Sequence, residues 1–103
     1  MMESTEMLKC ENLLPGSMID VETKSRHYRI ECLGGTSIRV SGHPEYCPEP
    51  VPASLQGSVD QEGVLELGFI GCGMRMVLLL DDVHPITTSR VLHVRVEQPD
   101  HIH

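Results

Sequence analysis

The chain has very few aromatic side chains: two tyrosines, one phenylalanine and no tryptophan among 103 residues. Proteins that bind single-stranded nucleic acid stack the bases on aromatic rings, so this scarcity excludes an extended stacking surface. Basic residues are also few, with 8 Lys and Arg against 15 Asp and Glu and a formal net charge of −7. A surface that neutralises phosphates needs the opposite balance, and we therefore predict no nucleic-acid partner.

Long apolar runs are absent as well. The longest, residues 76–80, is a fraction of the roughly 20 residues that a membrane-spanning helix needs. The first sixteen residues hold acidic side chains and no sustained apolar stretch, which is not the pattern of a secretory signal. We therefore expect no membrane partner and a cytoplasmic location, in which the four cysteines are predicted to stay reduced.

What remains is the composition of a small folded domain. Hydrophobic residues make up 40% of the chain, too many and too regularly placed for a disordered one. A chain of 103 residues has room for one core. We expect an N-terminal appendage over residues 1–16, a single β domain over residues 17–97 and a polar tail over residues 98–103.

Apolar and polar side chains alternate from residue 17 onward, which is typical of half-buried strands. A short polar stretch at residues 23–25 and the Gly34-Gly35 pair interrupt the alternation and predict two tight turns. The result is an antiparallel meander of three strands with one apolar face. Its predicted inward positions are Ile19, Val21, Tyr28, Ile30, Cys32, Ile38 and Val40.

The second half of the chain predicts further strands beyond a proline-rich loop. Residues 42–52 contain four prolines, which donate no ladder hydrogen bond and so exclude a central strand. Strands are then expected at residues 53–60, at 64–70 with Leu65 and Leu67 on one face, at 74–80, and at 86–96 with Leu92 inward. Residues 74–80 are apolar on both faces, which is typical of a central strand.

About seven short strands with turns every ~8–12 residues indicate an all-β fold, a small antiparallel barrel or sandwich. A short N-terminal helix is also predicted, because Ser4 or Thr5 is able to cap a segment in which Met7 and Cys10 share a side. Pro15-Gly16 would end that helix.

The most specific candidate site is His43 with Cys47, separated by three residues in the proline-rich loop. Imidazole and thiolate are natural zinc ligands, and His84, with Asp81 and Asp82, would supply a further one. No Cys-x-x-Cys pair occurs, however, and a structural zinc site usually contains such closely spaced ligands. The simpler interpretation is a loop histidine beside a packed cysteine.

Two other groups of residues are candidates for a functional site, one for binding phosphate and one for a reactive thiol. Arg26, Arg29 and Arg39 would make a basic face suited to phosphate, but cross-strand pairs with Glu22 and Glu31 explain them as well. Cys72, between two glycines, lacks the helix N-terminus or neighbouring base that activates a thiol. No catalytic motif is present, so we predict no catalytic residue and no cofactor.

Residues 57–58, 65–71, 73–76 and 88–91, with the sequences Gly-Ser, Leu-Glu-Leu-Gly-Phe-Ile-Gly, Gly-Met-Arg-Met and Thr-Ser-Arg-Val, carry a resemblance. Between Ser25 and Val96, roughly two thirds of the chain, the sequence resembles small bacterial all-β proteins of unassigned function. These motifs are glycines and strand residues, so the resemblance implies an all-β architecture and no particular chemistry.

The leading functional hypothesis is a non-enzymatic β domain that acts by binding a protein partner or by self-association. It depends on the lack of a catalytic motif, on the doubly apolar strand and on uneven charge. Residues 17–41 hold four basic and three acidic side chains, whereas residues 42–66 hold five acidic and no basic ones. The alternative is a small metal-binding protein or enzyme centred on His43, Cys47 and His84.

Overall fold

The computed structural model describes residues 2–5, 7–81 and 83–98. Asp82, one of the weighed metal ligands, and residues 99–103 of the predicted polar tail lie outside the described residues. The described part forms one short 3-10 helix, Cys10–Asn12, and ten strands. The strands are β1 (Met2–Thr5), β2 (Met7–Lys9), β3 (Met18–Thr23), β4 (His27–Gly34), β5 (Ser37–Ser41), β6 (Val51–Val59), β7 (Leu65–Leu67), β8 (Phe69–Gly71), β9 (Arg75–Leu80) and β10 (His84–Glu97).

The main sheet closes on itself through β9. All neighbours are antiparallel, and β9 pairs with β6 on one side and with the first half of β10 on the other. The second half of β10 pairs with β3, which completes a ring in the order β10-β3-β4-β5-β6-β9. The predicted all-β fold and antiparallel barrel are thus confirmed. β1 and β7 extend the sheet beyond the ring, and β2 pairs with β8 in a separate two-stranded sheet.

The barrel interior is filled by the alternating residues of its strands. All seven inward positions predicted for the meander are buried, none more than 2% exposed. On β9, Met76, Leu78 and Leu80 also point inward, while Val77 and Leu79 on the other face are half-buried. This pattern agrees with a central strand, because β9 has a hydrogen-bonded neighbour along both edges.

The predicted N-terminal helix is wrong. Residues 2–5 form β1 along β10, and Met7–Lys9 form β2 along β8, with only the three-residue 3-10 turn following. An isolated helix this short is marginal in water, so pairing with strands that the barrel already presents decides the backbone conformation. Within the described ranges there is no helix with the length and hydropathy that a membrane crossing requires.

The strand expected over residues 64–70 is divided into β7 and β8, and the prediction that Leu92 points inward is wrong. Leu65 and Leu67 are 41% and 69% exposed, because β7 is a separate edge strand that ends at Gly68, whose φ is +76°. Leu92 is 45% exposed because it is the extra residue of a β-bulge: Val91 and His93 face the consecutive residues Thr23 and Glu22 of β3.

At Gly57, β6 pairs with two strands at once. Leu67 of β7 lies on one side and Val77 of β9 on the other. A Cβ atom on Gly57 would collide with the carbonyl oxygen of Glu66, and its φ of +148° disfavours a side chain. Gly63, in the turn before β7, also has a positive φ of +84°, but open space surrounds it.

We expect Gly57→Ala to destabilise the fold far more than Gly63→Ala. Both substitutions place a Cβ at positive φ, which costs about 1 kcal/mol. Only Gly57→Ala must also separate β6 from β7, for a total of about 3 kcal/mol. Urea unfolding of the two variants measures the difference, and equal midpoints would show that the close approach at Gly57 is not a constraint.

Candidate functional site

A groove of about 390 Å³ lies where the turn between β3 and β4, the proline loop (residues 42–50) and the first half of β10 meet. Its size is at the lower end of the range for small-molecule sites. Most of its lining is polar or aromatic. The side chains that matter for its chemistry are Arg26, Tyr28, His43, Tyr46, His84 and Thr87.

The proline loop is anchored by Cys47, which is fully buried and belongs to the hydrophobic core. Its backbone N–H donates to the carbonyl of His43, and its carbonyl accepts from the N–H of Gly42, both at 2.9 Å. Gly42 lies so close to the backbone of β4 at His27 that a side chain would not fit there. The anchor therefore holds His43 and Tyr46 over the groove while the Cys47 thiol packs into the interior.

The orientation of the His43 ring is set by its own loop. Its Nδ1 atom accepts hydrogen bonds from the backbone N–H groups of Glu45 at 3.1 Å and Tyr46 at 3.2 Å. Neutral His43 therefore carries its proton on Nε2. A metal-bound histidine uses a bare ring nitrogen and donates the other N–H to a neighbour, which is the reverse arrangement. In this pose His43 offers the groove a hydrogen-bond donor.

The structure brings two of the three predicted metal ligands together and leaves the third apart. The ring of Tyr46 lies between the rings of His43 and His84, with centroid distances of 4.7 and 5.9 Å. Cys47, by contrast, is in the core. No group of three His, Cys, Asp or Glu side chains suited to a metal ion occurs in the described part of the chain. The zinc hypothesis thus lacks its sulfur ligand in this geometry.

The three predicted phosphate-binding arginines are separated. Arg39 pairs with Glu31 at 3.0 Å, as the cross-strand alternative predicted, and Arg29 lies 3.8 Å from Asp20 rather than near Glu22. Only Arg26 lines the groove. Among the described residues no carboxylate oxygen lies within 4.0 Å of its guanidinium.

The groove is rich in donors and poor in negative charge. Of the described residues that line it, none is acidic, although the whole chain has a net charge of −7. The hydroxyl of Thr88 is already engaged by the N–H of Met76 and the carbonyl of Ser89. Arg26, the Nε2–H of His43 and the Thr87 hydroxyl remain as groups suited to an anionic ligand.

The cysteines contain a contact that sequence reasoning missed. The Sγ atoms of Cys10 and Cys32 are 2.7 Å apart, and both residues are buried. The hydrogen bond from Cys32 lowers the pKa of the Cys10 thiol, although burial opposes it. The same hydrogen bond, followed by burial, raises the pKa of Cys32. The inward phase of Cys32 was visible in the sequence, but nothing there indicated that Cys10 would fold onto it.

Comparison with known proteins finds no matching family, no matching curated protein and no matching solved structure. The resemblance to small bacterial all-β proteins therefore stays a prediction.

The phenol of Tyr28, which lines the groove, has a pKa that differs between the native and the unfolded chain. Burial raises the pKa of its phenol, nearby Arg26 opposes the rise, and Cys47 adds to it. The native state therefore holds this proton more tightly than the unfolded chain, whose phenol titrates near its ordinary value of 10.0. The resulting stability is complete below that pH and is lost as the pH rises through the native pKa.

We expect the stability of the native chain to fall more steeply above about pH 10 than that of Tyr28→Phe. Urea unfolding at a series of alkaline pH values measures the two slopes. The thiols titrate in both proteins, so they cancel in the difference. Parallel curves would show that burial of the phenol is not linked to stability.

Proposed function

We propose that this chain is a non-enzymatic β domain that works by self-association, with a second copy bound at one outer face of the barrel. The observation that carries the proposal is an apolar face on the outside of β7, β6 and β9. The cross-strand register arranges this face in two adjacent rows. Val59 lies opposite Leu65 in one row, and Gly57 lies between Leu67 and Val77 in the next. The apolar face consists of Val59, Leu65, Leu67, Val77 and Leu79, and the exposed Arg75 borders it opposite Val59.

The exposure of this face is unusual for a small domain. Leu67 is 69% exposed and Leu65 is 41% exposed, next to three half-buried aliphatic side chains. Single exposed apolar residues need no explanation, but a contiguous group in one sheet face is typical of an interaction surface. The doubly apolar strand noted in the sequence contributes two of its members, Val77 and Leu79.

The same face ends at an open strand edge. The Gly68 N–H donates to Gln56 and the Val64 carbonyl accepts from Asp60, both at 3.0 Å, so these residues direct their backbone groups toward β6. Backbone groups alternate in direction along an antiparallel strand. Those of Leu65 and Leu67 therefore point away from β6, at the end of the described sheet order.

A second copy fits this combination of edge and face. An edge strand is self-complementary, because two copies related by a twofold axis pair in antiparallel fashion and continue one sheet. An axis through Leu65 or Leu67 keeps the two Glu66 side chains from lying opposite each other, which avoids a like-charge pair. Along the paired edges, the exposed Leu65 and Leu67 side chains of one copy lie beside the edge strand of the other, so the most exposed members of the apolar face contact the second copy.

The chain mass in solution tests this proposal. We expect light scattering after size exclusion to give about twice the chain mass of 11.5 kDa. Leu67→Lys should return the protein to a monomer, since it places a charge at the edge along which the two copies pair. Leu92→Lys is the matched control, because Leu92 is also exposed but lies on the β10 bulge.

A monomeric native protein at every concentration, or a Leu67→Lys variant that stays dimeric, would overturn the proposal. Ionic strength adds an independent readout. Two chains of net charge −7 repel each other, so association through apolar and backbone contacts strengthens as salt rises from about 0.05 to about 0.5 M. Association by complementary charges would weaken instead.

A second candidate function is favoured by the groove, namely binding of a small phosphate ester that carries a planar ring. Arg26 and the Nε2–H of His43 suit the phosphate, and no acidic side chain of the described lining opposes it. Tyr46, 49% exposed between two imidazole rings, suits the planar ring.

Thermal unfolding with three probes separates these contributions. We expect adenosine monophosphate to raise the melting temperature more than adenosine or inorganic phosphate, since only the first engages both parts of the groove. Arg26→Gln should abolish the difference between adenosine monophosphate and adenosine. Arg39→Gln is the control, because the native Arg39 guanidinium pairs with Glu31, and this variant should preserve the difference between the two probes. No stabilisation by any probe at millimolar concentration would reject this function.

A further inference from the structure

The Cys10–Cys32 contact joins two parts of the chain that are far apart in sequence. Cys10 begins the 3-10 helix that follows β2, and Cys32 lies on β4 of the barrel wall. Their sulfur atoms are 2.7 Å apart in the core, whereas Cys47 anchors the proline loop and Cys72 follows β8. The fold thus selects one pair from the three pairings that four cysteines allow.

We propose that Cys10 and Cys32 are a disulfide site, oxidised by low-molecular-weight disulfides to a bond that fastens the N-terminal segment to the barrel. Their placement satisfies the main geometric requirement, because the two sulfur atoms already face each other. The bond would join the barrel wall to the segment that contains β2 and the 3-10 helix.

The reaction is two successive thiol–disulfide exchanges. The Cys10 thiolate attacks one sulfur of a small disulfide RSSR, which forms a mixed disulfide and releases one RS⁻. The Cys32 thiolate then attacks the Cys10 sulfur and releases the second RS⁻. Two cysteine sulfurs are oxidised, the two sulfurs of RSSR are reduced, and the two thiol protons end on two molecules of RSH.

The environment assigns the order of the two steps. Cys10 lies on the segment that contains β2 and the 3-10 helix, whereas Cys32 lies on the barrel wall, so lifting that segment exposes Cys10 as the first nucleophile. Both residues are no more than 2% exposed, and the small disulfide reaches them only when the segment lifts from the barrel. That segment is held by the three-residue pairing of β2 with β8, by the pairing of β1 with β10, and by the Gly16 N–H, which donates to the Cys32 carbonyl at 2.7 Å. Its opening breaks these contacts but leaves the barrel ring paired.

Peptide mapping of the native protein tests the pairing directly. After incubation with oxidised glutathione and blocking of remaining thiols, trypsin cleaves after Lys9, Lys24, Arg29, Arg39 and Arg75. We expect a cross-linked species that joins residues 10–24 to residues 30–39. Cys47 and Cys72 share the peptide 40–75, so their oxidation would give a closed loop within one peptide.

Thermal unfolding gives the second readout. A bond between residues 10 and 32 closes a loop of about 20 residues in the unfolded chain, which raises the melting temperature on the order of 10 °C. The rise should reverse with dithiothreitol. It should be lost in Cys32→Ala and kept in Cys72→Ala, which removes a half-buried thiol away from the pair.

Three results would overturn the proposal: no link between peptides 10–24 and 30–39, a link from either of them to peptide 40–75, or a link with no rise in melting temperature. The mapping uses the native sequence, so its result does not depend on whether the alanine variants fold. The test is also independent of self-association, because the expected link lies within one chain and survives dilution.

Discussion

The double pairing of β9, with β6 on one side and β10 on the other, is the constraint on which the rest of the structure depends. It converts an open meander into a ring, so that each ring strand has a hydrogen-bonded neighbour along both edges. Closure also defines an inside, and a chain with one phenylalanine fills it with aliphatic, cysteine and methionine side chains. In the part of the chain that the structure describes, open edges lie outside this ring, as at β7.

Closure also explains why the polar chemistry lies on the outside. The interior is lined mostly by apolar side chains, and its few buried polar side chains, such as Ser58 and Thr88, are satisfied by backbone groups. The imidazole and guanidinium groups of the described residues therefore lie in turns and at outward positions of the strands. Arg26, His43 and His84 all line the groove, because the buried Cys47 anchors the proline loop against the barrel. A residue that looked like a ligand acts as the anchor that positions its neighbours.

Much of the fold could be predicted from the sequence, because alternation over five or more residues with one buried face sets both strand and orientation. The meander from Ile19 to Val40 is the clearest case, since its turns are short and all seven predicted inward residues are buried. The failures occur where one residue shifts the phase. A glycine at positive φ separates β7 from β8, and a bulge turns Leu92 outward. Neither event leaves a signal in a two-residue pattern.

The candidate site was less predictable, because it depends on contacts between distant segments. The sequence indicated His43 and His84 but not that Tyr46 would lie between them, nor that Arg26 alone of three arginines would reach the groove. Local spacing also suggested that His43 and Cys47 would act together. Instead, Cys47 is buried in the core while His43 lines the groove, and the hydrogen bonds to Nδ1 decide the tautomer. The N-terminal helix failed for a similar reason, because its alternative partner, β8, lies about sixty residues away.

The length of β10 has a consequence for how the chain is made. This strand of 14 residues pairs with β3, β9 and β1, and it brings Val96 opposite Ile19, which is far away in the sequence. During translation the meander leaves the ribosome first, with its apolar side uncovered until β9 and β10 follow. Contacts between such distant positions form slowly, because long stretches of chain must be ordered first. The nascent protein therefore passes through a period in which chaperones or premature aggregation compete for the unfinished barrel.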